Sequence, residues 1–163
     1  MRKTFVLISG FFLLLAACTL TPKDIGRAYM FALTPVEIAV REAGDGSGLT
    51  VALPVSAPEL DTYRIALASD SRRWDYYAGA RWSEFIPVLV QDNITKTLEN
   101  SGLFKNVTTD QAGVKGERIL KLAIRDFQAE YKNGQNTPVI KIRMMASLLN
   151  RLDGAVVSSF EIK

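Results

Sequence analysis

The chain has 163 residues, of which 48% are hydrophobic, and it carries a formal net charge of +3 with one cysteine and no histidine. The lack of histidine removes the commonest general base and the commonest metal ligand, and a lone cysteine excludes a disulfide within the chain. We therefore expect no cofactor and no metal site. No broad basic face is present that would favour binding to nucleic acid.

The first eighteen residues have the layout of a secretory signal peptide. Arg2 and Lys3 precede an apolar run over residues 5–17, and small residues stand directly before Cys18. The run has thirteen residues, whereas a membrane-spanning helix needs roughly 20. The quartet Leu15-Ala16-Ala17-Cys18 resembles a bacterial lipoprotein lipobox. That resemblance implies that residues 1–17 are removed and that Cys18 becomes the lipidated first residue.

A lipid anchor at Cys18 would determine where the protein works. Each buried methylene contributes about 0.8 kcal/mol to membrane binding, and stable attachment takes more than one acyl chain. Bacterial lipoproteins carry several acyl chains, so the attachment would be lasting. Thr19 stands where an Asp would favour inner-membrane retention, which indicates the periplasmic face of the outer membrane. Residues 18–27 are expected to be a polar tether, and loss of Arg2 and Lys3 would lower the net charge to +1.

The first half of the mature chain is predicted to consist of short strands separated by turns. Turn residues in the glycine-rich segment 44–48, at 58–61 and at 69–71 interrupt the apolar runs, and Pro54 ends one of them. The predicted strands are 28–33, 36–40, 49–53, 63–68 and 73–77, the last two pairing with each other.

One long helix follows. Ser83 is a candidate N-cap, Glu84 favours the first turn, and Gly102 is well placed as the stop. Pro87 lies near enough to the start to be tolerated. Apolar residues recur at three- and four-residue spacing, at Phe85, Ile86, Leu89, Val90, Ile94 and Leu98. We expect Leu89 and Ile94 on or beside the buried stripe, and we expect Thr95 and Lys96 to tolerate alanine.

The last third is predicted to be β-structure. Alternation over 118–131 and 138–149 and the returning segment 155–162 indicates three strands, preceded by a short one at 103–107. Asp153-Gly154 is typical of a type I′ hairpin turn. The fold class is therefore α/β, bordering on α+β, with one domain over residues 28–163 and a mixed sheet of about five to six strands. A single helix leaves one sheet face poorly covered, so we expect that a C-terminal helix is missing from this chain.

The segment between the predicted strand pair and the helix is rich in arginine and aromatic residues. These residue types dominate the energetics of protein interfaces, which favours a partner-binding surface here. Trp82 is expected instead to pack beneath the helix. The candidate partner-binding residues are Arg72, Arg73, Trp74, Tyr76 and Arg81. No pair of carboxylates is positioned for acid–base chemistry, so we expect no enzymatic activity.

From Leu49 to Val107 the chain resembles the ABC-type transport auxiliary lipoprotein component family, the PqiC-like lipoproteins. The entry to the helix, Arg81-Trp82-Ser83-Glu84, is the most specific part of the resemblance. The other residues that carry it are Tyr29, Leu33, the segments 49–54 and 58–61, Ile65, Ala80 and the segment 102–104.

The resemblance implies a non-catalytic subunit of an intermembrane transport system for lipid or another hydrophobic compound. Its partners would be an MCE-domain periplasmic protein with its ABC permease and ATPase. It would be anchored in the outer membrane as a homo-oligomer or as a subunit docked at the end of the partner's ring. The chain has no Walker motif, in keeping with an auxiliary role. Two alternatives stay open, an outer-membrane assembly lipoprotein unrelated to ABC transport and a small lipid-modifying hydrolase.

Overall fold

The computed structural model describes residues 28–38, 44, 46–70, 73–131 and 137–163. The signal peptide 1–17, Cys18, the tether and Arg72 lie outside this part of the chain. The described residues form a nine-stranded sheet and one helix. In chain order they are β1 (Tyr29–Phe31), β2 (Gly48–Val51), β3 (Val55–Ser56), β4 (Arg64–Asp70), β5 (Arg73–Trp82), α1 (Ile86–Ser101), β6 (Asn106–Thr109), β7 (Arg118–Glu130), β8 (Val139–Asn150) and β9 (Val156–Ile162).

The sheet forks around β7. On one side β7 pairs along its whole length with antiparallel β8, from Arg118 opposite Asn150 to Glu130 opposite Val139, and β9 pairs with β8. On the other side the parallel strands β2, β3 and β4 pair with successive parts of β7, at residues 118–120, 123–124 and 128–130. One branch then continues from β2 to β6, and the other continues from β4 through β5 to β1. A long strand can pair with several short ones, and this is how one sheet accommodates both branches.

Helix α1 begins later than the sequence predicts. The predicted cap at Ser83 is wrong, because no side chain caps the helix and the residue at the N-cap position is Phe85. The Ser83 N–H donates instead to the Phe31 carbonyl over 2.7 Å, so strand pairing with β1 holds the chain extended there. Pro87 lies in the first turn, and Gly102 ends the helix at a φ of 67°, both as predicted.

The helix packs its apolar stripe on the central strands. Leu89 and Val90 are buried as predicted, and Ile94 is partly buried against the core. Gln91 is buried as well, and its Nε2 donates to the Val51 carbonyl over 3.0 Å and to Asp110 Oδ1 over 2.9 Å. Thr95 lies on the buried side of α1. The core cluster is Leu60, Ala66, Ile86, Val90, Leu122, Ile124, Phe127, Met144 and Ala146.

Two local predictions are wrong. Residues 36–38 are not a strand, and the Val36 N–H donates instead to Thr97 Oγ1 on α1 over 3.3 Å; residues 39–40 lie outside the described part. The hairpin between β8 and β9 is present, but its turn is not type I′. That turn needs positive φ at two residues, and in the described chain only glycines, such as Gly154 at 70°, have it. The Gly154 N–H closes a wider loop on the Asn150 carbonyl.

The prediction of a single-domain mixed sheet packed by one long helix is confirmed, and the class is α+β. The sheet has nine strands in place of the five to six expected, because the short segments predicted as strands, including β1 and β6, all join the same sheet. Only β3, with two residues, was not predicted. Of the part of the chain that the structure describes, no helix has both the length and the apolarity to cross a membrane.

Candidate partner-binding surface

Strand β5 carries the described members of the predicted partner-binding set, and it spreads them along its length. Arg73 and Trp74 stand at its start, both exposed, with Arg73 Nη2 lying 3.5 Å from Asp75 Oδ2. Arg81 stands near its end, eight residues from Arg73. Their partners on β4, Asp70 and Arg64, are six residues apart, so at about 3.3 Å per residue the two arginines are roughly 20 Å apart. The predicted residues therefore form two patches rather than one.

Tyr76, between these patches, is held by packing contacts. Its hydroxyl donates to the Glu59 carbonyl over 3.1 Å, and the Arg64 guanidinium lies 3.9 Å from its ring centroid. The side chain is partly buried against the core cluster. These contacts fasten the turn around Glu59 to the sheet. A partner contact for Tyr76 stays a prediction.

Arg81 lies at the centre of an exposed cluster that includes three residues missing from the predicted set. Its Nη2 lies 3.2 Å from Met30 Sδ, and its guanidinium lies 5.6 Å from the Tyr63 ring centroid. Tyr63 in turn meets Phe85 edge-to-face at 5.7 Å. Met30 is 62% exposed, Tyr63 44% and Phe85 41%. We call these four residues the β1–β5 cluster.

The β1–β5 cluster has the chemistry of an interface centre. Tyrosine and arginine are enriched among the residues that contribute most to binding. A guanidinium near an exposed aromatic ring is stabilised by about 0.5–1 kcal/mol, which restrains its rotamers. A side chain already held in place loses less entropy when a partner binds. The cluster depends on the parallel pairing of Met30 with Arg81, two residues 51 positions apart, which no local pattern in the sequence indicates.

Trp82 turns to the interior, as predicted. Its ring meets Phe127 at 5.7 Å with an interplanar angle of 62°, and it is partly buried against the core cluster. The indole Nε1 is buried and has no hydrogen-bond partner among the described residues.

A second charged group lies on the β7–β8–β9 side of the sheet. Asp126 Oδ2 accepts from Arg143 Nε over 2.6 Å, and Lys141 Nζ lies 3.0 Å from Glu130 Oε1 and 3.5 Å from Asp126 Oδ1. Arg143 also reaches Glu161 at 3.8 Å. Because each of these carboxylates lies next to a lysine or an arginine of a neighbouring strand, the group forms ion pairs between strands.

The pKa values of this group agree with charge pairing. Burial would raise the pKa of the Asp126 carboxyl, but hydrogen bonds from Arg143 and Gln128 and the charge of Lys141 outweigh it and hold the pKa below its ordinary value. The hydrogen bond to Glu130 raises the pKa of Lys141. A general acid needs a raised carboxyl pKa, which is the opposite shift. Within the described ranges, no three His, Cys, Asp or Glu side chains are grouped so as to hold a metal ion.

No family model matches the chain, and no curated protein matches it. Among solved structures, protein XCC0632 from Xanthomonas campestris, which is described by the family model DUF330, is 26% identical with a TM-score of 0.75. That match covers 83% of this chain and 75% of XCC0632. An uncharacterized protein with 9% identity and a TM-score of 0.60, covering 84% of this chain and 79% of its own, shares the fold. The chain thus shares the fold of XCC0632, and about one residue in four of the matched sequence is identical.

Proposed function

We propose that this protein is a non-catalytic, lipid-anchored lipoprotein of the outer membrane that serves as the auxiliary subunit of an ABC/MCE-type transport system for lipid or another hydrophobic compound. The lipobox ending at Cys18 and the family resemblance around Arg81-Trp82-Ser83-Glu84 support this proposal. Its partners would be an MCE-domain periplasmic protein and that protein's ABC permease and ATPase. The substrate would pass through the partner, while this protein positions the partner at the membrane.

The observation that carries the proposal is the exposed β1–β5 cluster and its nearness in sequence to the anchor. Met30 follows Cys18 by twelve residues. A fully extended chain of that length spans about 40 Å at most. A partner bound at the cluster would therefore stay within reach of the outer membrane. Confinement by a lipid anchor also raises the effective concentration of the two proteins for each other.

A pull-down from native membranes tests the proposal. The tagged lipoprotein is expected to recover an MCE-domain protein together with its permease and ATPase. Arg81→Glu should reduce the recovery, whereas Lys115→Glu, which reverses an exposed charge outside the cluster, should not. Recovery of outer-membrane assembly proteins in place of an MCE-domain protein would overturn the proposal.

A further inference from the structure

An apolar pocket of about 300 Å³ opens on the face of the sheet where β4, β5, β7 and β8 come together. One wall is formed by Tyr77 and Ala80 of β5, and the facing wall by Ile140 and Ile142 of β8. Between them lie Trp82 and Phe127, the pair that meets edge-to-face. We call this cavity the β5–β8 pocket.

A bulge in β5 shapes one wall of the β5–β8 pocket. Arg64 pairs with Arg81 and Ala66 with Tyr76, so five steps along β5 match only two along β4. Gly79, inside the bulge, has a φ of 71°, a conformation that a side chain would strain. The extra residues include Tyr77 and Ala80, which line the pocket. The backbone of the bulge therefore shapes this wall, which does not depend on the rotamer of one side chain.

The polar groups around the β5–β8 pocket are neutral or already paired, with one exception. The Tyr77 hydroxyl donates to the Tyr131 hydroxyl over 3.2 Å, and burial, followed by this bond, raises the pKa of Tyr77 to about 12. The Gln128 amide donates to Asp126 and Glu130. The exception is the buried indole N–H of Trp82, which has no acceptor in the described part of the chain. A buried donor without a partner is uncommon in native proteins.

Water is a poor occupant of such a space, because a water molecule needs two to four polar partners. The rim of the pocket also exposes apolar surface to water. Ile140 is 67% exposed, although it shares a face of β8 with buried Met144 and Ala146. A methylene group is similar in size to a water molecule, which takes about 30 Å³ of liquid volume, so the cavity has room for roughly ten methylene groups. That is the dimension of one acyl chain, which would also cover the isoleucine rim.

We propose that the β5–β8 pocket binds a single acyl chain, held by apolar contacts with Trp82, Phe127 and the isoleucines of its rim. This inference rests on the proposed function and adds to it, because it gives the auxiliary subunit its own contact with the transported class of compound. The chain could belong to a free fatty acid or to a phospholipid, and the experiment separates the two.

Trp82 allows the pocket to be observed directly, because the protein has two tryptophans. In the mature chain from residue 18, Cys18→Ser removes any acyl group of its own, and Trp74→Phe leaves Trp82 as the single fluorophore. Bromine atoms quench indole fluorescence on contact. A dibrominated fatty acid should quench Trp82 with a saturable curve. The reverse variant, Trp82→Phe, which reports only the exposed Trp74, should show little quenching.

A matched pair of variants tests whether the acyl chain lies in the pocket. Ile140 and Val139 are neighbours on β8 with opposite orientations, and both are exposed, so aspartate at either should be compatible with folding. Ile140→Asp should weaken binding at least tenfold, and Val139→Asp should change it less than twofold. If Ile140→Asp does not fold, Ala80→Leu replaces it by filling the pocket from β5. Equal binding by the members of the pair, or unchanged binding with the pocket filled, would overturn the proposal.

Chain length provides an independent test. In unbrominated fatty acids competing with the brominated probe, affinity should rise up to about fourfold per methylene. It should level off at roughly ten to twelve carbons, the length at which an acyl chain fills the pocket. A continuous rise with length would indicate adsorption to an apolar surface and would overturn the proposal.

A second probe distinguishes a free fatty acid from a phospholipid as the source of the acyl chain. Phosphatidylcholine vesicles containing brominated acyl chains should quench Trp82 if the ligand is a phospholipid chain, and only the free acid will do so if it is a fatty acid. Absence of quenching by both probes overturns the pocket proposal. The pull-down with MCE-domain protein is unaffected by that result, so failure of the pocket and failure of the proposed function are distinguishable.

Discussion

Arg143 and Asp126 form a 2.6 Å hydrogen-bonded ion pair across β8 and β7, directly beside a bulge in β7. Ile124 pairs with Met144 and Asp126 pairs with Arg143, so Arg125 is an extra residue. In an uninterrupted strand, Asp126 would point to the same side as Ile124, which is in the core. The bulge turns Asp126 to the charged side and brings Phe127 to the core instead. The ion pair and the core contact of Phe127 thus depend on the same bulge.

Removing the charge of Asp126 should destabilise the fold. Asp126 is 8% exposed, so Asp126→Asn leaves Arg143 facing a neutral amide in a largely buried site, at a cost of about 1–3 kcal/mol of unfolding free energy. Asp92→Asn, in an exposed pair with Lys96 on α1, should cost about 0.5 kcal/mol or less. Urea denaturation at neutral pH measures both. Equal effects would show that the Arg143–Asp126 pair behaves as a surface pair.

The Asp126 contribution should also depend on pH in one direction. The folded-state pKa of Asp126 is lowered, so the unfolded state takes up its proton first as the pH falls. The stabilisation is therefore present above about pH 4 and is lost as the pH falls through the folded-state pKa. The stability gap between wild type and Asp126→Asn should narrow in acid. A constant gap from neutral to acid pH would contradict the pKa shift.

Helix α1 should depend on its buried stripe. Leu89→Ala should lower the unfolding free energy by roughly 2–5 kcal/mol, because it deletes methyl groups from a buried position and leaves a cavity. Lys96→Ala removes an exposed side chain and a pair with Asp92, and it should change stability by about 0.5 kcal/mol. Melting curves or urea titrations compare the two. Similar midpoints for both variants would mean that the stripe is placed on the wrong side of the helix.

Local patterns were sufficient for the long elements of this fold. The alternation over β7 and β8, the turn signal before β9 and the three- and four-residue spacing of α1 predict those elements to within a few residues. The patterns of β7 and α1 reflect their buried faces, whereas β9 is exposed along nearly all of its length. Such patterns carry no information on which strands become neighbours. The fork around β7 and the pairing of β1 with β5 arise from packing between distant segments.

The difference between local patterns and long-range pairing also explains why only part of the partner-binding surface could be predicted. Arg81 was identifiable from its aromatic neighbours in sequence. Met30 and Tyr63 join it only through strand pairing, so no local signal could include them. The Ser83 cap was predicted wrongly because its backbone N–H is used by β1, and a cap motif does not show that competition.

The buried hydroxyl of Thr95 allows a test of how much a polar group without a hydrogen-bond partner destabilises the fold. Its hydroxyl is buried and has no hydrogen-bond partner in the described chain, whereas the Thr97 hydroxyl accepts from the Val36 N–H. Thr95→Val keeps the shape and removes an unsatisfied group, so it should raise the unfolding free energy by about 1 kcal/mol. Thr97→Val, the matched control, should lower it by about 0.5–1 kcal/mol through the lost bond. If Thr95→Val is the more destabilising change, the Thr95 hydroxyl is hydrogen-bonded in solution.

The two arginine patches of β5 should contribute unequally to partner capture. Arg81 is held by Met30 and Tyr63, whereas the Arg73 side chain is 72% exposed. We expect Arg81→Glu to reduce recovery of the MCE-domain protein more than Arg72→Glu combined with Arg73→Glu. Arg73 and Arg81 are exposed, and reversal of an exposed charge shifts stability by only about 0.5 kcal/mol, so variants at these positions should fold. Full recovery with folded Arg81→Glu would exclude the β1–β5 cluster as the contact.

Membrane attachment should depend on Cys18 alone. The apolar run before it is too short to span a bilayer, and anchoring by acyl chains gains about 0.8 kcal/mol per buried methylene, so a protein without those chains has little to hold it. Cys18→Ala should therefore accumulate as unprocessed precursor or appear in the soluble periplasmic fraction. Cell fractionation with mass measurement of the N-terminal peptide distinguishes processed from unprocessed chain. As a matched control, Thr19→Ala changes the neighbouring residue and should leave attachment intact. A cleaved Cys18→Ala protein that still fractionates wholly with the outer membrane would show that contacts of the folded domain hold it there.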